Sequence, residues 1–187
     1  AREAEEAVAA VNGLDHIIVR PAIIYGTGDL IGITPRIIIG AVYQKTGEKM
    51  EMLWTKELKL NTVAVSDVAK ALVFLCTKGT SGQVYNLADT GESDQGSVST
   101  MVAQIFGIKH DFMGAITSKL ATSVSMKTVV ETANDQHLKP WSDLLKEHKI
   151  VDSPLTPYLD EELLYNNSTS VNGTKITELG FTYDHPS

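Results

Sequence analysis

Gly13-Leu14-Asp15-His16-Ile17-Ile18-Val19-Arg20-Pro21-Ala22-Ile23-Ile24-Tyr25-Gly26-Thr27-Gly28-Asp29 is the stretch that decides how this chain folds. Its Ile17-Ile18-Val19 core has the unbroken β-branched character of a strand buried on both faces of a parallel sheet. Pro21 has no backbone donor for a ladder and is expected to stop that strand. The glycine-rich Tyr25-Gly26-Thr27-Gly28-Asp29 then reads as a loop at the strand's carboxyl edge.

Outward from this stretch, helices and strands alternate. Upstream, Ala4, Ala7, Val8 and Val11 fall at helical spacing, so residues 2–12 read as an amphipathic helix ending near Asn12-Gly13. Downstream, Thr34-Pro35 offers an N-cap and a proline at the first helical position. That helix is expected to turn Ile37, Ile38, Ala41 and Val42 inward and to end near Lys45-Thr46-Gly47. Residues 49–65 are strand-like in patches: Met50 to Met52 alternate, and Thr62-Val63-Ala64-Val65 is more β-prone. Ser66 is expected to cap a helix that gathers Val68, Ala69, Leu72, Leu75 and Cys76 on one face. Gly82 precedes a further buried strand, Gln83 to Ala88. Ser97 is expected to cap a helix with Val98, Met101, Val102 and Ile105 at i, i+3, i+4, i+7 spacing, closed by Gly107. The order α-β-α-(β)-β-α-β-α implies a parallel sheet with helices on its faces.

Beyond about residue 111 the character changes. Residues 115–134 are helix-prone but polar, and Trp141, Leu144 and Leu145 suggest a short helix. Pro154 and Pro157 precede Tyr158 to Leu164, and Ile176 to Phe181 reads as a helix end followed by a docking strand or turn.

Composition narrows the class. The chain has 187 residues, 43% hydrophobic and 21% charged, with a formal net charge of -7. A chain of this length buries roughly 70% of its unfolded surface and needs no disulfide or metal staple. The acidic balance argues against a nucleic-acid or anionic-membrane partner. A single cysteine, Cys76, excludes a disulfide framework and a multi-thiolate metal site. A cytoplasmic, reducing environment is the expectation. The opening Ala1-Arg2-Glu3-Ala4-Glu5-Glu6 is acidic and helical, unlike a secretory signal, and begins inside a periodic pattern, so the chain is expected to be part of something longer.

Three landmarks then line up: residues 13–29 as quoted, Asn61-Thr62-Val63-Ala64-Val65-Ser66-Asp67-Val68-Ala69-Lys70-Ala71-Leu72, and Gly82-Gln83-Val84-Tyr85-Asn86-Leu87-Ala88-Asp89. Together they resemble the C-terminal half of the extended short-chain dehydrogenase/reductase family, which includes the NAD-dependent epimerase/dehydratases. The matching family texts are RP-x-x-x-YG-x-G-D, N-x-V-H-V-x-D-V-A-x-A and G-x-x-Y-N-(L/I). Leu179-Gly180-Phe181, with Tyr183 and Pro186 behind it, is also similar to that family's C-terminus. The likeness covers 1–110 well and 155–187 loosely.

The resemblance implies an α/β fold: the C-terminal part of a doubly wound, Rossmann-like NAD(P)-binding domain over 1–110, with a lobe insertion at about 27–60. A small, mostly helical substrate lobe is expected over 111–187. It implies that Pro21, Ala22, Ile23 and Ile24 line a nicotinamide pocket, since ligands of open α/β sheets sit beyond the strands' carboxyl ends. It implies too that Tyr25, Gly26 and Asp29 lead toward the substrate lobe. NAD or NADP is the implied cofactor, and holding it requires an N-terminal half that these residues lack.

The chain departs from the family in what it does not contain. Neither a G-x-x-G-x-x-G phosphate turn nor a Tyr-x-x-x-Lys pair occurs in it. If Glu5 matches the acidic residue four positions after the family's lysine, Ala1 stands at the lysine position; a register shifted by one puts Arg2 there. Either the chain begins one residue late, or its parent lacks the lysine. Ala64 stands where the family has histidine, and Ser66 where it has an acidic or polar residue; both weaken a nucleotide-sugar assignment.

Several features carry plainer readings beside the functional ones. Arg20-Pro21 is either a nicotinamide-side edge or a structural strand end, and Tyr25 either a substrate contact or a packed tyrosine. Gly26-x-Gly28 lacks the helix and lysine of a P-loop. Asp67 is read as supporting its helix N-terminus, and Cys76 as a buried small hydrophobe. The five histidines share no ligand spacing, so no metal is expected. Asn166, Asn167 and Asn172 in Asn-x-Ser/Thr matches read as a polar loop, and Asp160-Glu161-Glu162 as a solvated face.

The function so implied is part of an NAD(P)-dependent dehydrogenase or epimerase acting on a small carbonyl or nucleotide-sugar-like substrate, with no catalytic residue in these 187. Two alternatives stand beside it: a non-catalytic Rossmann-like scaffold subunit, and a dinucleotide-binding sensor. The expected partner is an N-terminal half, a complementary chain or a second copy, because a truncated sheet leaves an unpaired edge.

Overall fold

The computed structural model describes residues 2–185. In chain order its elements are α1 (Arg2–Ala9), β1 (Ile18–Pro21), β2 (Ile23–Tyr25), α2 (Thr34–Thr46), β3 (Met50–Met52), β4 (Thr62–Ala64), α3 (Val65–Lys78), β5 (Val84–Leu87), α4 (Gln95–Phe106), β6 (His110–Phe112), α5 (Ala115–Val124), α6 (Met126–Glu147), a 3-10 turn (Glu161–Leu164) and α7 (Thr174–Thr177). The strands pair in three parallel couples, β1 with β5, β2 with β4 and β3 with β6. That is the α/β class expected from the alternating pattern.

The chain divides into two compact units. Unit 1 comprises Ala1–Thr27, Asn61–Glu92 and Thr169–Ser187; unit 2 comprises Gly28–Leu60 and Ser93–Ser168. These bounds differ from a division at residue 110. Residues 93–110 belong with unit 2, where β6 pairs with β3, and residues 169–187 belong with unit 1, where Ile176 and Phe181 enter the core.

In unit 1, Val63, Ala71, Leu75, Tyr85, Leu87, Ile176 and Phe181 form the core, with Ile17, Val19 and Phe74 packed against it. The backbone joins the two strand couples: Ala22 N–H donates to Leu87 O (2.8 Å) and Asp89 N–H to Thr62 O (2.9 Å). Pro21 does not stop β1. It is the last residue of the ladder, in register with Leu87, and needs no donor there because the next amide, that of Ala22, makes the bond. Nor is β1 covered on both faces: Ile18 and Val19 are half-buried, while Arg20 and Pro21 are exposed. α1 contributes no buried residue, so its Val8 and Val11 stripe stays in solvent.

α3 corrects two expectations. Its N-cap is Ala64, with no side-chain cap from Ser66. Its inward face is Asp67, Ala71 and Leu75, flanked by Val68 and Phe74, whereas Ala69, Leu72 and Cys76 point outward. Cys76 is therefore an exposed free thiol rather than a buried hydrophobe. The helical period was right; the stripe is rotated because the buried Asp67 claims the inner face.

In unit 2, Ile39, Met50, Val102, Val130, Leu159 and Leu164 form a second core. α2 buries Ile38, Ile39 and Val42 but exposes Ile37. It closes at Gly47 in the left-handed conformation, as α4 does at Gly107. Thr34 is not the N-cap of α2; Ile33 holds that position, and the amides there are taken by Asp29. For α4 the cap is Asp94, which accepts from Ser97 N–H (2.8 Å) while Ser97 Oγ meets Asp94 N–H (3.0 Å). That is a reciprocal capping box with Ser97 at its third position. Met101 and Ile105 are exposed, and only Val98 and Val102 of the expected stripe are buried. The polar region after residue 111 is two helices, and α6 continues through Pro140 to include Trp141, Leu144 and Leu145.

Candidate functional site

The carboxyl ends of β1, β2, β4 and β5 meet at one edge of unit 1, and Pro21, Ala22, Ile23, Ile24, Tyr25 and Gly26 run along it. Pro21 is exposed and Ala22 buried, which anchors the turn between the two strands. Ile23 N–H donates to Asn61 O (3.1 Å), and β2 runs in register with Thr62, Val63 and Ala64. Ile24 is 37% exposed, so an isoleucine side chain stands in solvent on this edge. Gly26 adopts φ 123°, a conformation L side chains rarely reach, and a Cβ there would press on Val65 Cγ1 at 3.0 Å. The chain can therefore reverse immediately beside the first turn of α3.

Two buried carboxylates lie behind the edge. Asp89 is 7% exposed, accepts from Thr62 Oγ1 (2.8 Å) and turns the next residues by accepting from Gly91 N–H (3.0 Å). Asp67 has no exposure, and its two oxygens accept from the amides of Asp184 (2.9 Å) and His185 (3.0 Å). Lys70 of α3 closes the same segment, donating to Thr182 O (2.9 Å) and Asp184 Oδ1 (2.6 Å). Asp67 thus does more than favour a helix N-terminus: it ties residues 184–185 to α3. Asp67→Asn keeps one acceptor and turns an NH2 toward a backbone N–H, so it is expected to destabilise unit 1 by about 2 kcal/mol. Urea unfolding followed by circular dichroism reads this, and a change below about 0.5 kcal/mol would remove the latch role.

The edge's acid–base character follows from these groups. Burial raises the Tyr25 phenol above its ordinary pKa, and the Asp89 and Asp67 charges push it the same way. Tyr183 is likewise raised, by burial first and by the same two carboxylates. A tyrosine acting as a base at neutral pH needs the opposite field, from a nearby cation. Tyr25 stays a neutral phenol. Ser66, His185 and Asp67 come close, but Ser66 Oγ (3.3 Å) and Asp67 Oδ2 (3.5 Å) both approach the same imidazole nitrogen, Nδ1. A nucleophile relay needs them on opposite ring nitrogens.

One contact brings α1 to this edge. Arg20, beside Pro21, grips Glu5 through Nε (2.9 and 3.1 Å) and Nη2. The hydrogen bond holds Glu5 below the ordinary carboxylate range and raises Arg20. Nothing in the spacing of residues 5 and 20 announces this pair. Asp29 belongs to unit 2, where its carboxylate accepts from the amides of Ile31, Gly32, Ile33 and Thr34 and from Thr34 Oγ1, at 2.7–3.1 Å. Burial opposes its ionisation, yet these donors hold it below its usual pKa. It is the anchor of the loop entering α2.

A groove of about 390 Å³ also lies in unit 1, at the opposite, amino-terminal ends of β1 and β5, lined by His16, Ile17, Leu72, Cys76 and Gly79. Parallel sheets receive their ligands at the other edge, so the strand geometry outweighs the groove's size. Among the described residues no three His, Cys, Asp or Glu side chains are grouped to hold a metal ion. No helix is long and apolar enough to cross a membrane.

With this geometry in view, the solved structures similar to the chain can be named. One is the human epimerase family protein SDR39U1 (isoform 2), solved with NADPH, 12% identical, with 97% of this chain matched to 49% of that chain at a TM-score of 0.58. Another is a functionally unknown conserved protein from Silicibacter pomeroyi DSS, 18% identical, matching 98% of this chain to 48% of that chain at 0.55. The fold of the 187 residues is thus a Rossmann-like α/β fold of the epimerase and short-chain dehydrogenase type, and the chain spans about half the length of these structures. No protein-family model and no curated protein matches it.

Proposed function

We propose that these residues are the C-terminal portion of an NAD(P)-dependent epimerase or dehydrogenase, with Pro21 to Ile24 forming one wall of a nicotinamide pocket. The observation that carries this reading is the Glu5–Arg20 clamp beside the strands' carboxyl edge. It sets the first turn of α1 next to Pro21, which is where an acid–base pair carried at the start of that helix would act. The human protein of similar fold was solved with NADPH, which supports a dinucleotide here. The substrate is a small carbonyl or nucleotide-sugar-like compound, approached past Tyr25 and Gly26. In this reading the dinucleotide supplies the hydride. This chain's share is to shape the nicotinamide wall, keep water from it with Ala22 and Ile24, and hold α1 in place. The phosphate turn and the Tyr/Lys pair come from sequence outside the 187 residues, on the same polypeptide or on a complementary chain.

Calorimetry with NADH and with NADPH separately, on the full-length polypeptide and on the 187-residue chain, tests this. The full-length polypeptide is expected to bind one of them at micromolar affinity and the short chain neither. Failure of the full-length polypeptide to bind either would leave the scaffold reading, which the anionic surroundings of Tyr25 and the alanine at position 64 favour.

A further inference from the structure

Unit 2 contains a buried cation that its own residues satisfy only in part. Arg36, in the first turn of α2, is 8% exposed, and among the described residues its guanidinium has one protein acceptor, Gly32 O, at 2.9 Å. A guanidinium carries five donors in a planar fork, so most of its hydrogen-bonding capacity is unused. Asp29 supplies counter-charge from a distance but cannot supply acceptors, because five donors already occupy its carboxylate. Burial without full pairing is unfavourable for a charge.

A second observation points to the same place. Ser99 of α4 is 5% exposed, and its hydroxyl has no protein partner among the described residues. Arg36 and Ser99 line one small cavity, walled otherwise by Ile39, Met50, Val98 and Val102. Its volume, about 10 Å³, admits roughly one oxygen-sized group. A charged fork and a neutral hydroxyl converging on an otherwise apolar hole form the polar minority that orients a ligand.

We infer that Arg36 and Ser99 form an oxyanion subsite in unit 2 that takes a single carboxylate or phosphoryl oxygen of a small ligand. Arg36 donates to the oxygen through its free N–H groups and neutralises it, while Ser99 Oγ donates the second bond. The apolar wall gives both bonds a low-dielectric setting. The subsite lies wholly within unit 2 and is independent of the dinucleotide reading.

The chain has three arginines, Arg2, Arg20 and Arg36, so the guanidinium signals of 15N-arginine-labelled protein are assignable by single substitution. The probes are inorganic phosphate and acetate, titrated separately. The Arg36 signal is expected to shift saturably with at least one of them at millimolar concentration, and Ser99→Ala to weaken that binding about tenfold. Saturation by phosphate alone identifies a phosphoryl ligand, and saturation by acetate alone a carboxylate. Arg36→Met is expected to abolish any rise in melting temperature that the binding probe produces. Should that variant fail to fold, the wild-type and Ser99→Ala titrations decide. No saturable shift with either probe, equal shifts of all three arginines, or unchanged affinity in Ser99→Ala would each overturn the subsite.

Discussion

Gly173→Ala is expected to lower the melting temperature of unit 1 by about 10 °C, although it adds a single methyl group. Gly173 has φ -94°, a backbone any residue adopts, so strain is not the reason. The reason is space. A Cβ there would stand 2.5 Å from Ala88 O and 2.7 Å from Ala88 N, with Tyr183 Oη at 3.1 Å. Tyr183 can rotate away, but the Ala88 backbone cannot, because it continues β5 and leads into the bond from Asp89 N–H to Thr62 O. Relief therefore requires the segment leading into α7 to lift, which loosens Ile176 and Phe181 from the core. Overpacking of this kind costs about 3 kcal/mol, and each kcal/mol moves the transition by about 2–4 °C in a chain of this size. Thermal unfolding by circular dichroism measures it; a loss of under about 2 °C would mean the approach of residue 173 to β5 is not close in solution.

Acid is expected to weaken unit 2 through His137. Its ring is 6% exposed, stacks edge-on against Tyr43 at 5.5 Å, lies 3.5 Å from the Tyr43 hydroxyl through Nε2, and leaves Nδ1 without a partner. Burial lowers its pKa from 6.5 to about 4. The folded state therefore favours the neutral ring. The resulting stability is complete above the unfolded value of 6.5 and is lost as pH falls through about 4. At about 1.4 kcal/mol per tenfold, that interval corresponds to about 3 kcal/mol. Carboxylates titrate over the same range, so the measurement is a difference. His137→Phe keeps a ring and removes the proton site. Urea unfolding of both proteins between pH 7 and pH 4 (flagged here as roughly the two ends of the His137 window) is expected to show the variant gaining about 3 kcal/mol on the parent as acid is added. A pH-independent difference would show that His137 is hydrated or paired in solution.

The sequence disclosed the alternation of helices and strands because that signal is local. Ile17 to Val19, the Thr62 to Val65 run and Gln83 to Ala88 each contain a strand of unit 1, and Gly47 and Gly107 end their helices where expected. What it hid depends on partners distant in the chain. β6, three residues with a histidine and an aspartate, is a strand only because β3 lies beside it in register. Asp29 outcompetes Thr34 at the start of α2 through a loop fold that no cap pattern specifies. The face of α3 was misjudged because a carboxylate, Asp67, turns inward to meet amides more than a hundred positions away. Of the edge proposed as a nicotinamide wall, residues 21–26 could be read from the proline and glycines, but the Glu5–Arg20 clamp behind them could not.

The division of unit 1 into three stretches has a consequence for how the chain is made. A ribosome delivers residues 28–168, and with them everything unit 2 contains, before Ile176 and Phe181 exist. Unit 2 can close while unit 1 still waits for the last of its core. Joining the opening residues to the final nineteen means spanning nearly the whole polypeptide, and contacts of such separation form slowly. During that wait β1 and α3 stand exposed, so the newborn chain is most vulnerable to aggregation or to a protease in unit 1, the unit that carries the strand edge.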